Sequence, residues 1–529
     1  MPVTSANLDP ARPWAVGARD PVTRHGLVGL LGSTVLAVGA LGVGHVPARS
    51  RLGVLTATDV LRTTTVGGGI AKVCVIVGAL LLLRAWLLLG ADVREGRITG
   101  TARLVRMFWL WAVPLVLVPP LFSQDVYSYT AQGNLLNVGY DPYKFGPAAV
   151  PGANLATVSG TWLDTPAPYG PSFLYLGKLT AQLFGSHIYL AALTMRLLAL
   201  LGVWLIATYL PRLARACGKE PSLAVWAGLL NPLVLMHFVS GAHNDALMTG
   251  LVVAGLAYAL EGQPIIGALL VTLGGTVKAP ALLALGFVGL AWAMRRDGSG
   301  VRGSPDEINE HPRRRARIGP WIAVASIALA TFLVINALTG LTFGWIGALG
   351  TPGLIHTWLS PVTAVTLTVA QLIAVAGLGD HGETMLRVAR IFCEVGILAL
   401  IATWLLRRRA IEPATGTAAA LLLLAVFGPV LQPWYVLWGL IVISAAALGR
   451  RGMPYVAATT ATLVVYCTAQ TSSTTDPLIH IGDGICAALG VAVGATMLLR
   501  DPVTRTEIGH GIRGWRSAAR RAVLPQSSP

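Results

Sequence analysis

Along the chain, apolar residues collect in runs of roughly 17–24, each long enough to cross a hydrocarbon core about 30 Å thick as an α-helix. The runs lie near 27–45, 67–90, 106–122, 188–209, 221–240, 244–261, 263–278, 280–295, 319–339, 388–406, 415–431, 434–449, 453–470 and 483–499. Polar and apolar positions do not alternate within them, so the strands of a membrane β-barrel are excluded. The pattern predicts an all-α polytopic membrane protein of about fourteen transmembrane helices. Two further apolar stretches, near 171–185 and 361–377, are ambiguous. If both cross the bilayer, the Arg-rich loop 295–317 falls outside. If both are re-entrant or interfacial, nearly every basic connector lies on one side, as the positive-inside bias requires. The second arrangement is the one expected, with both termini cytoplasmic.

Composition sharpens this picture. Only 12% of the 529 residues are charged and mean hydropathy is +0.67, whereas a soluble domain carries about 25% charged residues. Many of the fifteen Trp residues (Trp86, Trp109, Trp204, Trp292, Trp321, Trp404) sit near run ends, as an interfacial aromatic belt would place them. The net charge of +16 concentrates in connectors and tails, at Arg295 to Arg317, Arg407 to Arg409, Arg450, Arg451 and Arg505 to Arg521. That distribution suits a cytoplasmic membrane face rather than nucleic acid. Arg49, Arg51 and Arg62, in the 46–66 loop, are the exception. The scattered Cys74, Cys217, Cys393, Cys467 and Cys486 form neither a disulfide framework nor a metal-ligand spacing. Residues 1–26 read as a polar cytoplasmic tail without a cleavable signal, 27–500 as the membrane domain, and 501–529 as a basic cytoplasmic tail. No internal repeat of the kind that builds inverted-repeat transporters is evident.

In this orientation the side chains capable of chemistry gather on the outer face. The large external loop, 123–187, opens with "LFSQDVYSYTAQGNLLNVGYDPYKFGP" and closes with "DTPAPYGPSFLYL". Ser123, after Pro119 and Pro120, reads as a helix N-cap, which puts Asp125 in the first turn at the positive end of the helix dipole. Asp125, Ser128, Tyr129 and Gln132 then share one face, and the helix is expected to end by Gly139. Asp125 has two readings: a helix cap, or a carboxylate at the rim of a sugar site whose rings cover C–H surface while polar groups take hydroxyls.

The stretches "FSQDVYSYTAQGNLLNVGYDPYKFGP" and "TPAPYGP" resemble the actinobacterial polyprenyl-phosphomannose-dependent α-(1→6)-mannopyranosyltransferases of the GT-C superfamily. "NPLVLMHFVSGAHNDALMTGLVVAGLA" and "QPWYVLWGL" resemble the same family, over roughly residues 105–440. The resemblance implies a GT-C fold in the plasma membrane and an extracytoplasmic site. It implies a polyprenyl-phosphomannose donor and a lipid-linked mannan acceptor, the core of lipomannan and lipoarabinomannan. GT-C enzymes place an acidic residue in the first large external loop, and Asp125 matches that position, as the catalytic base of an inverting transfer. Another polyprenyl-phosphate sugar as donor, or a lipid or sugar transporter, is the competing reading.

Around Asp125, the expected substrate contacts are Tyr127, Tyr129, Gln132, Asp141, Tyr143 and Tyr169 in the same loop. A second constellation, Ser240-Gly241-Ala242-His243-Asn244-Asp245, sets three polar side chains at a membrane boundary, where they need a cavity or partners. His243, Asn244 and Asp245 read as acceptor, sugar or phosphate contacts, and otherwise as a helix cap. His237, inside the preceding run, reads as a packing residue. Lys278 is a lone cation between two apolar runs, a phosphate ligand or a snorkelling anchor. His356 could add a phosphate ligand, and Trp434 and Tyr435 mark a broken-helix junction. No nucleotide fingerprint is present, and neither a metal nor a cofactor is expected.

Overall fold

The computed structural model describes residues 20–47, 56–296, 318–407, 411–470 and 479–500, and every regular element among them is helical. Arg49, Arg51, the loop 297–317 and both tails lie outside the described residues. The N-terminal layer consists of α1 (Pro21–Val43), the short α2 (Thr56–Thr63), α3 (Thr65–Arg94) and α4 (Thr101–Val116). α1 lies against α3 at backbone distance, since a Cβ on Gly78 would meet the Leu36 nitrogen at 2.5 Å. The 106–122 run is helical only as far as Val116. Pro119 and Pro120 follow, and residues before proline are pushed out of the helical region.

The 123–187 loop folds into α5 (Asp125–Asn137), the four-residue α6 (Gly160–Leu163) and α7 (Pro171–Phe184), and leads into α8 (Ile188–Ala216). α5 and α7 approach closely enough that a Cβ on Gly133 would meet the Gly177 carbonyl carbon at 2.2 Å. Only glycine permits that approach, and it fixes the axis of the helix that carries Asp125.

The 221–240 run is not one straight span. α9 (Pro221–Ala224) leads into two π-helical segments, Val225–Leu229 and Val234–Ser240, bent by 61° at the break between them. Pro232 cannot donate a helical hydrogen bond, and Asn231 fills the gap. Its amide donates to Ala227 O (3.2 Å) and Thr460 Oγ1 (2.8 Å), and its oxygen accepts from Leu233 N (3.0 Å). The first segment is anchored to α3 by a reciprocal pair. Trp86 and Trp226 stack at 4.6 Å, and each indole N–H donates to the other's carbonyl, at 2.8 and 2.9 Å.

The rest comprises α10 (Asp245–Leu260), α11 (Pro264–Val277), α12 (Leu283–Arg296), α13 (Gly319–Thr339), α14 (Pro361–Val375), α15 (Gly382–Leu406), α16 (Pro413–Phe427), α17 (Val436–Ala446), α18 (Met453–Gln470) and α19 (Ile479–Arg500). Among the described residues, α1, α3, α8, α13 and α15 are long and apolar enough to cross a membrane, and the bent pair makes a sixth candidate. Shorter apolar helices of 10–17 residues include α10, α11 and α16, which occupy further predicted runs, and α14, which occupies the ambiguous stretch 361–377. The described residues are therefore all-helical, with the long apolar helices of a membrane-embedded protein. α10 packs on both α8 and α11, and α17 packs on α16 and α8. α8 and α11 also pack against the helices of the 123–187 loop, α8 on α5 and α7, and α11 on α7.

Candidate active site

Three pieces of chain converge: the start of α5, the junction between the bent span and α10, and the start of α17. α5 begins at Asp125, whose backbone N–H donates to Ser123 Oγ (3.1 Å). The Asp125 carboxylate is 14% exposed and has two different sides. On one, the Trp162 indole of α6 donates to Oδ1 at 2.9 Å. On the other, Oδ2 lies 3.7 Å from His243 Nε2.

His243 is fully buried and held from behind. Its Nδ1 is 2.9 Å from His237 O, a carbonyl that can only accept, so Nδ1 carries a proton and Nε2 is the ring nitrogen that faces Asp125. Burial pushes the imidazole below its ordinary pKa, with Asp125 and Asp245 opposing that shift. The ring stacks on Trp434 at 3.9 Å. His237 sits beneath, with Nε2 3.4 Å from Cys467 Sγ and its ring 5.4 Å from Trp434.

Two residues on, Asp245 heads α10. Its Oδ1 accepts from Lys278 Nζ (2.8 Å) and from the Trp438 indole (2.6 Å). Lys278 is 8% exposed, so it is a buried, ion-paired cation rather than a snorkelling one. Its ammonium lies 4.6 Å from the centroid of the Tyr435 ring, 5.3 Å from Trp438 and 5.9 Å from Tyr169. Tyr169 is brought here by Gly170, whose N–H donates to Val277 O (3.0 Å) and whose missing Cβ would meet Thr276 O at 2.2 Å. Tyr129 joins the two halves. Its ring meets Tyr169 edge-on at 5.2 Å and Phe173 at 4.9 Å, and its hydroxyl makes long contacts of 3.4 Å to Asn244.

Of the sequence-predicted residues, Asp125, Tyr129, Tyr169, His243, Asn244, Asp245, Lys278, Trp434 and Tyr435 thus form one cluster. Gln132 lies two turns further along α5, fully buried. Tyr127 turns to the other side of α5 and donates to His45 O (2.5 Å). Asp141 accepts from Tyr143 N (2.9 Å) in a local turn, and Tyr143 packs against Gly344. His356 is 3.8 Å from Glu383. None of the contacts described for these last four residues reaches the cluster.

Sequence reading missed Trp162 and Trp438. Trp438 stood four residues after Trp434, one helical turn on, and that spacing was the available signal. Trp162 had no local signal, since α6 is only one turn long.

Several buried polar atoms here have no protein partner: Ser128 Oγ, both Gln132 amide atoms, Asn244 Nδ2, Asp245 Oδ2 and Trp434 Nε1. Buried polar atoms are otherwise almost always paired. Donors and acceptors interleaved with aromatic rings are what a hydroxyl-rich ring requires of its binding site.

A family profile described as "Alpha-(1->6)-mannopyranosyltransferase, N-terminal domain" matches residues 26–294, and "MptB C-terminal domain" matches residues 362–500. A probable α-(1→6)-mannopyranosyltransferase of Mycolicibacterium smegmatis is 36% identical, covering 80% of each chain. An α-(1→6)-mannopyranosyltransferase of Mycobacterium tuberculosis is 34% identical over 84% of this chain and 82% of that relative. α-(1→6)-mannopyranosyltransferase A of Corynebacterium glutamicum is 31% identical over 76% of this chain and 84% of its own.

Proposed function

The chain belongs to the α-(1→6)-mannopyranosyltransferase family and is a mannosyltransferase; from that premise we propose that it transfers mannose from polyprenyl-phosphomannose to a lipid-linked mannan on the extracytoplasmic face. Asp125 is the base. A β-mannosyl phosphate that yields an α-mannoside inverts at the anomeric carbon, and a single displacement through an oxocarbenium-like transition state accomplishes that. The acceptor 6-oxygen bonds to C1 while its proton passes to Asp125. The C1–O bond to phosphate breaks, and polyprenyl phosphate leaves with the electron pair. No general acid is needed for a leaving group that is already an anion, but developing charge on its oxygens needs N–H donors. Lys278, with N–H donors beyond the one given to Asp245, is the donor-phosphate ligand, and the rings of Tyr129, Tyr169, Trp434 and Tyr435 cover the sugars.

The observation that carries this reading is the asymmetry of the Asp125 carboxylate. Oδ1 is held by Trp162, while Oδ2 faces Nε2 of His243 at 3.7 Å and accepts no hydrogen bond from its own helix. A helix cap would turn its oxygens to its own backbone N–H groups instead. The test supplies membranes with labelled polyprenyl-phosphomannose and a short α-(1→6)-mannoside. Wild-type protein is expected to extend the acceptor, and Asp125→Asn to lose roughly 10²–10⁴-fold in turnover, what a positioned base contributes. Retention of more than about a tenth of wild-type turnover by Asp125→Asn removes the base role. Transfer from a different polyprenyl-phosphate sugar in preference to mannose overturns the donor.

A further inference from the structure

Resting on the reading of Asp125 as the base, we propose that Arg196 is the positioning residue of this site, a clasp between two helix ends that sets the separation of Asp125 and His243. Arg196 lies in α8 and is 1% exposed. Its guanidinium donates Nη1 to Val116 O (2.6 Å) and Val118 O (2.8 Å), and Nη2 to Ser240 O (2.9 Å). No carboxylate pairs with it among the described residues. Val116 ends α4, and Ser240 ends the bent span. Carbonyls at helix C-termini have no N–H partner within the helix and form the negative end of the dipole, so a buried cation there satisfies both ends at once.

Just beyond each clasped end the chain makes a turn that a residue with a Cβ adopts reluctantly. Phe122 has φ 65° and Ala242 φ 55°, and they are the only non-glycine residues with positive φ among those described. The first stands three residues before Asp125, the second immediately before His243. Left-handed conformations at such residues persist where the surroundings over-determine them. Here Arg196 ties down the segment before each turn from a single rigid helix. Release of either carbonyl lets its turn relax, and Asp125 Oδ2 and His243 Nε2 separate. A charged residue inside an apolar run of α8 was the sequence signal for a function of this kind.

Arg196→Lys keeps the charge but replaces a planar fork with one ammonium, which cannot hold three carbonyls on two chain segments. Turnover is expected to fall on the order of 10–100-fold, as for a misplaced catalytic group, while KM for polyprenyl-phosphomannose stays within about twofold. Amide hydrogen exchange in peptides spanning 117–126 and 238–246 should speed up. Arg196→Lys combined with Ala242→Gly should recover several-fold in turnover over Arg196→Lys alone, because glycine holds φ near 55° without the clasp. A raised donor KM with unchanged turnover would make Arg196 a phosphate ligand and overturn the proposal. Unchanged exchange, or no recovery with glycine, overturns it equally. If Arg196→Lys does not accumulate, Ala242→Val tests the turn from the other side, and normal turnover in that variant sinks the clasp. Should wild-type membranes transfer no mannose, the proposed function fails, while the exchange comparison still judges the clasp.

Discussion

Lys278 and Asp245 illustrate how a side chain that holds the fold together can also be a proposed ligand. Their 2.8 Å ion pair is buried, with the Trp438 indole on the same carboxylate oxygen. Removing one partner leaves a buried charge uncompensated, which typically costs about 3–5 kcal/mol. Lys278→Gln is therefore expected to lower the thermal unfolding temperature in detergent as well as to weaken donor binding. The double variant Lys278→Gln with Asp245→Asn removes both charges and should regain most of the stability. It should not regain donor affinity, because the cation proposed to meet the phosphate is still missing. Steady-state kinetics decide the matter: wild-type donor KM in the double variant would reduce Lys278 to the counter-ion of Asp245. At this scale the sequence located the residues but not their partners. His243, Asp245 and Lys278 were each legible as polar groups at membrane boundaries. That Lys278 meets Asp245, 33 positions away, follows only from how α10 and α11 pack.

At the scale of elements, the break in the 221–240 run does most to shape the site, because its second half delivers His243. An Asn-Pro pair inside an apolar run is a breaker signal, yet a hydropathy reading passes over it, since one asparagine barely changes the mean of the window. Asn231 makes three hydrogen bonds at the break, one of them to Thr460 in α18. Asn231→Ala strands the buried Leu233 N–H and Thr460 hydroxyl, and each such group costs about 1–3 kcal/mol. The expected result is a clear drop in unfolding temperature, and Thr460→Ala, which loses only one of the three bonds, should show a smaller drop. Equal effects from the two substitutions would mean that the 61° bend is held by Pro232 and packing alone. The ends of α4 and α5 show the opposite situation. Pro119-Pro120 and Gly139 punctuate the chain locally, so Asp125 in the first turn of α5 and an end before Gly139 were legible from sequence. The N-cap, however, is Gln124 rather than Ser123, whose Oγ accepts from Asp125 N two residues on.

For the whole molecule, the length of α8 sets up the test of which membrane face carries the proposed site. α8 has 29 residues and is about 43 Å long at 1.5 Å per residue, more than a hydrocarbon core of about 30 Å. α7, between Lys144 and α8, has 14 residues and is about 21 Å long, too short to cross, so Lys144 and Lys219 are expected on opposite sides of the membrane. In cells whose native cysteines have been replaced, Lys144→Cys is expected to react with an impermeant thiol reagent from outside. Lys219→Cys should react only after permeabilisation. The reverse pattern would put the site in the cytoplasm and exclude a donor presented on the outer leaflet.

The sequence by itself determined that this is a helical membrane protein, because twenty-residue apolar runs have no other way to satisfy their backbone in lipid. It also determined the family, through long polar stretches such as "FSQDVYSYTAQGN" and "SGAHNDAL" that the demands of a bilayer do not explain. Tertiary structure decided which of those polar residues meet. Tyr127 and Tyr129 are two positions apart on α5, yet one faces His45 and the other Asn244. Asp141 caps a local turn at Tyr143, while Tyr143 packs on Gly344 and His356 lies by Glu383, away from Asp125. Trp162 reaches Asp125 from 37 positions away, and Arg196 bridges segments separated by 80 and 44. Such contacts are long-range choices among chain segments. Local periodicity records which face of a helix is apolar, but it carries nothing about which other helix that face will find.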